Sequence, residues 1–125
     1  MIKYKAVGRI KPGTTEGPMK YYASTVLDGE VDLLNLCQEI ERISTVSEAD
    51  IMAVLTSLVA VVPEKLVNGK IVRLGDLGSL RPSIASHGSE KQEEVSSSSI
   101  KGNKVIFTPG KRIQKTMKTA EYRKA

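Results

Sequence analysis

The stretch from Ile51 to Val67 constrains this chain more than any other. Ile51, Met52, Val54, Leu55, Leu58, Val59, Val61, Val62, Leu66 and Val67 leave it almost no polar side. Ser47-Glu48-Ala49-Asp50 precedes it and reads as a helix start, with Ser47 as N-cap and acids in the first turn. A helix that is apolar nearly all round must be buried nearly all round. A chain of 125 residues with one Phe and no Trp has little with which to enclose it. A second subunit would do so, and a dimer is therefore expected. Pro63 removes one backbone donor and predicts a kink or a short restart, and Gly69 is the natural C′ stop.

The segments around that helix alternate between β and α patterns. Ile2, Tyr4, Ala6, Gly8 and Ile10 alternate with Lys3, Lys5, Arg9 and Lys11, Val7 being the exception, so Ile2 to Lys11 reads as a half-buried strand with a basic outer face. Pro12, Gly13, Gly17 and Pro18 mark a loop, and Tyr21 to Leu27 reads as a second strand. Val31 to Ile43 turns helical, with Leu33, Leu36, Ile40 and Ile43 on one face and Cys37 beside them as a small core residue. Lys70 to Ile84 carries β signals around a turn at Gly75-Asp76-Leu77-Gly78. Ser86 to Asn103, with four consecutive serines, reads as a polar, mobile excursion. Lys104 to Phe107 reads as a strand. Thr108 as N-cap and Pro109 at the first position would open a last helix to about Thr119, with Ile113 and Met117 inward and a frayed tail from Glu121 to Ala125.

Charge is segregated along the chain. Met1 to Leu27 holds five bases and one acid, Asp28 to Asp50 seven acids and one base, and Lys101 to Ala125 eight bases and one acid. Two basic ends flanking an acidic middle suggest one surface facing a polyanion and another facing solvent.

Enzymatic chemistry has little to work with here. His87 is the only histidine and sits in the polar excursion, so no Ser-His-Asp or Cys-His arrangement has local support. Cys/His metal sites are excluded by count, and no Walker or Rossmann glycine pattern occurs. A single cysteine fits a reducing cytoplasm. No apolar run approaches the roughly 18–20 residues of a membrane span. The opening Met-Ile-Lys-Tyr-Lys lacks a signal-peptide core. The expectation is a cytoplasmic, non-enzymatic protein with no cofactor, metal, membrane or small-molecule substrate.

Lys111, Arg112, Lys115 and Lys118 lie on the last predicted helix. Cations near a helix N-terminus oppose the macrodipole. A bound phosphate would satisfy both the cations and the free N–H groups, which makes these residues candidates for phosphate contact.

The order of elements from Leu33 to Met117 resembles the bacterial HU and integration host factor family of histone-like DNA-binding proteins. Val72-Arg73-Leu74-Gly75-Asp76-Leu77-Gly78-Ser79-Leu80-Arg81 is similar to the family's strand-turn-strand pattern, with Leu77 and Leu80 in place of two phenylalanines. Phe107-Thr108-Pro109-Gly110-Lys111-Arg112-Ile113 is similar to the segment that opens the family's third helix. The resemblance implies an α+β fold: an HU-like intertwined dimer with a helical base, a β-sheet and a β-ribbon arm at about 83–104. An N-terminal β extension over 1–30 would precede the HU-like domain of 31–125. It also implies non-sequence-specific, architectural binding of double-stranded DNA by a nucleoid-associated homodimer, through phosphate and minor-groove contacts. Lys111 maps onto the family's phosphate-contacting lysine, and Arg81 onto a usually basic position at the arm base. Lys101, Lys104, Arg112, Lys115 and Lys118 would join them, with Lys3, Lys5 and Arg9 extending the surface.

This chain departs from the family in its arm. Ser86 to Asn103 carries Glu90, Glu93 and Glu94 against Lys91 and Lys101, and it has no proline to act as a wedge. The alternative reading is an HU-fold protein-interaction or assembly module that has lost arm-mediated bending.

Overall fold

A computed structural model of the chain describes residues 1–10, 13 and 17–125. Its architecture is α+β, with three α-helices and two three-stranded sheets among the described residues. Two compact units emerge: Met1–Val31 together with Thr116–Ala125, and Asp32–Lys115.

The first unit is a three-stranded sheet. Strand β1 (Ile2–Arg9) pairs antiparallel with β2 (Lys20–Val26), as the alternating pattern predicts for a hairpin-like unit. Lys11 and Pro12, at the end of the predicted strand and the start of its loop, lie outside the described residues. The tail is not frayed as expected. Tyr122–Lys124 forms β6 and pairs in parallel with β1, Ile2 opposite Tyr122 and Tyr4 opposite Lys124. The N–H of Ile2 donates to Glu121 (2.8 Å) and that of Ala125 to Tyr4 (2.8 Å), so the pairing is closed at both ends. Parallel pairing across the length of a chain leaves no local signature, and composition alone therefore misread the tail.

The second unit begins with α1 (Leu33–Ile43). Asp32 caps it: its carboxylate accepts from Asn35 N–H at 2.8 Å, and the Asn35 side chain accepts from Asp32 N–H at 3.3 Å. Helix α2 (Glu48–Val67) follows, with Ser47 Oγ accepting from Asp50 N–H at 3.2 Å, the cap read from the sequence. The Glu41 carboxylate of α1 also accepts from Glu48 N–H and so ties the two helices at their junction. Gly69 closes α2 with φ +78°, its N–H on Leu66 (3.0 Å) and the Lys70 N–H on Lys65 (3.1 Å), a Schellman stop. Of the kink or short restart expected at Pro63, the restart does not occur. The helix runs through as one element, and only the bond that the Val59 carbonyl would have accepted is lost.

Cys37 is fully buried and Ile51 nearly so, and these are the buried apolar side chains among the described residues. Ile51, Leu55, Val62 and Leu66 lie on one side of α2 and are buried or half-buried. A second stripe, Val54, Leu58 and Val61 at i, i+4 and i+7, is 66%, 40% and 48% exposed. Leu33, Leu36 and Ile43 of α1 are uncovered too. The apolar content that demanded enclosure is thus present, and one chain leaves much of it open.

The other sheet has the order β3-β4-β5: β3 (Val72–Arg73), β4 (Gly78–Ser86) and β5 (Ile100–Pro109), paired antiparallel. A single 3-10 turn, Gly75–Leu77, connects β3 to β4 at the predicted turn. Strand β5 is longer than expected. It takes up Ile100 to Asn103 from the polar excursion, and the remaining segment folds into 3-10 turns at Gln92–Glu94 and Ser97–Ser99. There the serines bond to one another: Ser96 N–H donates to Ser99 Oγ (3.2 Å) and His87 N–H to the Ser99 carbonyl (2.8 Å), with Ser99 buried.

Candidate nucleic-acid interface

In an antiparallel ladder, paired residues share a face and successive residues alternate. One face of β3-β4-β5 therefore carries Val72, Leu80, Pro82, Ile84, Val105 and Phe107. The other carries Arg73, Ser79, Arg81, Ser83, Ile106 and Lys104. Arg81 and Lys104 are diagonal neighbours on it, since Arg81 opposes Ile106 and Lys104 opposes Ser83. Pro82 lies beyond the reach of β3, where β4 has an open edge that tolerates a missing donor.

Lys101 has a different setting. The register slips between Ala85 and Ser86, with Gly102 opposite the first and Ile100 opposite the second, so Lys101 is the extra residue of a β-bulge.

The last helix begins later than the cap signal predicts. Thr108 and Pro109 are the end of β5, opposite Ser79 and Gly78, and α3 covers Lys111–Met117. Sheet pairing outweighs the local Thr-Pro signal, and Gly110 takes the position before the helix, its carbonyl accepting from Gln114 N–H at 3.1 Å. Lys111, Arg112 and Lys115 are exposed on α3, and Lys118 lies just past its end. Ile113 is half-buried as expected of an inward residue. Met117, expected to point inward as well, is 53% exposed.

Among the described residues there are three ion pairs, Lys3–Asp28, Arg42–Glu39 and Lys65–Glu64. None involves Arg81, Lys101, Lys104, Lys111, Arg112, Lys115 or Lys118. These side chains offer charge that no ion pair among the described residues neutralises.

In the first unit, Lys3, Lys5 and Arg9 share one face of β1, as alternation predicts. The register adds Lys20, opposite Arg9, and Arg123, opposite Lys3. Sequence reasoning missed both. The pairing of Lys20 was open to discovery from the hairpin, whereas that of Arg123 requires knowing where the tail goes.

Among the described residues no group of three or more His, Cys, Asp or Glu is placed to hold a metal ion, and no helix is long and apolar enough to cross a membrane.

A search of curated proteins finds no match. The fold is similar to the crystal structure of a protein from Bacteroides vulgatus provisionally assigned as a bacterial DNA-binding protein, with a TM-score of 0.67 and 18% identity over 98% of this chain. The chain spans 47% of that protein, about half its length. The family model for an HU domain fused to a winged helix-turn-helix, Ig or glycine-rich motif matches residues 1–124. That match takes in the helix pair, the hairpin and the terminal sheet alike, and the chain belongs to this HU-like family.

Proposed function

We propose that this protein binds double-stranded DNA with little sequence preference, as a nucleoid-associated HU-like homodimer that grips the phosphate backbone. The observation that carries the reading is the division of the β4–β5 hairpin into an apolar face and a basic one. Ile84, Val105 and Phe107 lie uncovered on the first, while Arg81 and Lys104 lie on the second with no ion pair among the described residues. The hairpin runs directly into α3, where Lys111, Arg112 and Lys115 continue the charge.

In this reading the second subunit covers the exposed stripes of α1 and α2. The β4–β5 ribbon is the arm that follows the minor groove, and Lys101 sits at the bulge, where a strand bends and re-aims a side chain. Affinity is then dominated by counterion release and is almost indifferent to base sequence.

The test is a fluorescence-anisotropy titration of a short random-sequence duplex at several salt concentrations. Binding should weaken steeply with salt, with a log-log slope of about −0.9 per phosphate contacted. Absence of binding even at low salt would sink the proposal. The same titration weighs the second reading, a protein-assembly module, which the exposed Glu90, Glu93 and Glu94 at the ribbon's tip favour because like charge repels a phosphate backbone.

A further inference from the structure

One face of the terminal sheet carries Lys3, Lys5 and Arg9 of β1, Lys20 of β2 and Arg123 of β6, with Val7, Tyr22, Ser24 and Val26 among them. The reverse carries Ile2, Tyr4, Ala6, Tyr21, Ala23 and Tyr122, and Lys124 is its one cation. Lys5, Arg9, Lys20 and Arg123 are exposed. Among the described residues, the one ion pair made by these cations is that of Lys3 with Asp28, at 3.3 Å.

The arrangement works against the sheet's own stability. Arg9 stands directly opposite Lys20, and Lys3 directly opposite Arg123. Like charges placed opposite one another destabilise a ladder. Asp28 offsets Lys3, but Arg9, Lys20, Lys5 and Arg123 have no acidic partner among the described residues, a liability that a polyanion laid across the face removes. From Lys3 to Arg9 the strand covers about 20 Å, the axial length of about six base pairs.

We infer that the basic face of the terminal sheet is a second DNA-backbone site, made by both ends of the chain together. Arg123 completes it, so the C-terminal strand is part of the binding surface as well as of the fold. The inference rests on the reading that the partner is DNA. It adds a backbone-contacting patch on a compact unit other than the one that holds the hairpin.

The experiment compares full-length variants with wild type in the salt titration of a random-sequence duplex. Lys5→Glu/Arg9→Glu/Lys20→Glu should weaken binding on the order of tenfold or more and reduce the salt slope by about 2.7, because about three phosphates are no longer neutralised. Arg123→Gln alone should reduce the slope by about 0.9. The neutral set Lys5→Gln/Arg9→Gln/Lys20→Gln removes the like-charge pair at Arg9 without introducing new charge. It should fold at least as well as wild type and show the same reduction in slope. Unchanged affinity and slope in both triple variants would overturn the inference. If Lys111→Glu/Arg112→Glu abolishes binding while the sheet variants keep it, the sheet site fails and the hairpin–helix reading stands. If the sheet variants lose binding and the helix variant keeps it, the helix reading fails and the sheet site stands. A wild type that binds no duplex at all overturns both.

Discussion

Gly110 lies so close to the main-chain carbonyl of Asp76 that no side chain fits between them, and its N–H donates to the next carbonyl, Leu77, at 3.0 Å. The two sequence segments that carry the family resemblance are thereby packed against each other, the turn before β4 against the entry to α3. Gly110→Ala forces a methyl group into backbone, which cannot yield as a flexible side chain would. The expected loss is about 1–3 kcal/mol of unfolding free energy, read by urea denaturation. Gly78→Ala should do the same, since a methyl there comes 2.5 Å from the Thr108 carbonyl and Gly78 has φ +146°. Wild-type midpoints for both variants would show that this contact is not what positions α3.

Ser47→Ala tests the start of α2. The hydroxyl satisfies the Asp50 N–H, and its removal should cost about 1 kcal/mol. Ser47→Gly should lose only a few tenths, because glycine lets water reach the freed donor. Thermal or urea melts that rank the two the other way would contradict the capping role.

Leu58→Glu places a carboxylate within the uncovered stripe Val54, Leu58 and Val61. If a second chain packs there, the substitution buries an unpaired charge at a cost of several kcal/mol. Sedimentation equilibrium should then show a dimer for wild type and a monomer or unfolded chain for the variant. A wild type that is monomeric at all concentrations would refute the dimer.

Lys111→Glu with Arg112→Glu should abolish duplex binding and leave the sedimentation behaviour unchanged, because both side chains are exposed and neither is in an ion pair among the described residues. Retained affinity would show that α3 faces away from the DNA.

Deleting residues 121–125 removes β6 and the bonds that the Ile2 N–H donates to Glu121 and the Ala125 N–H donates to Tyr4. Amide hydrogen exchange in β1 should accelerate strongly, since a two-stranded hairpin is marginal in water. The amides of α1 and α2, which belong to the other compact unit, should keep their protection. Equal protection of β1 with and without the tail would make β6 dispensable.

Where the deciding interactions are local, the sequence is legible. Ser47 and Asp50, three apart, announce α2, and Gly69 ends it through a conformation that glycine adopts freely. The all-round apolar character of Ile51 to Val67 likewise survives as exposed stripes. Thr108 and Pro109 show the opposite. Their local preference is for a helix start, but their register opposite Ser79 and Gly78 makes them the end of a strand. The same holds at the candidate site. Lys111, Arg112, Arg81 and Lys104 are visible as cations in an ordered motif. That Arg81 and Lys104 share a face, that Lys101 is a bulge residue, and that Arg123 joins Lys3 all depend on pairing partners remote in sequence.

The partnership of β1 with β6 also sets a schedule. Ile2 and Tyr122 are 120 positions apart. At roughly 5–20 residues per second, ribosomal synthesis takes on the order of 10 s to travel from one to the other. Through that interval β1 and β2 form at best a two-stranded ribbon with an open edge, while the whole of Asp32–Lys115 is being made and can fold. The terminal sheet is therefore completed only after Asp32–Lys115 has been made, and until β6 arrives the bare edge of β1 is open to capture by a neighbouring polypeptide.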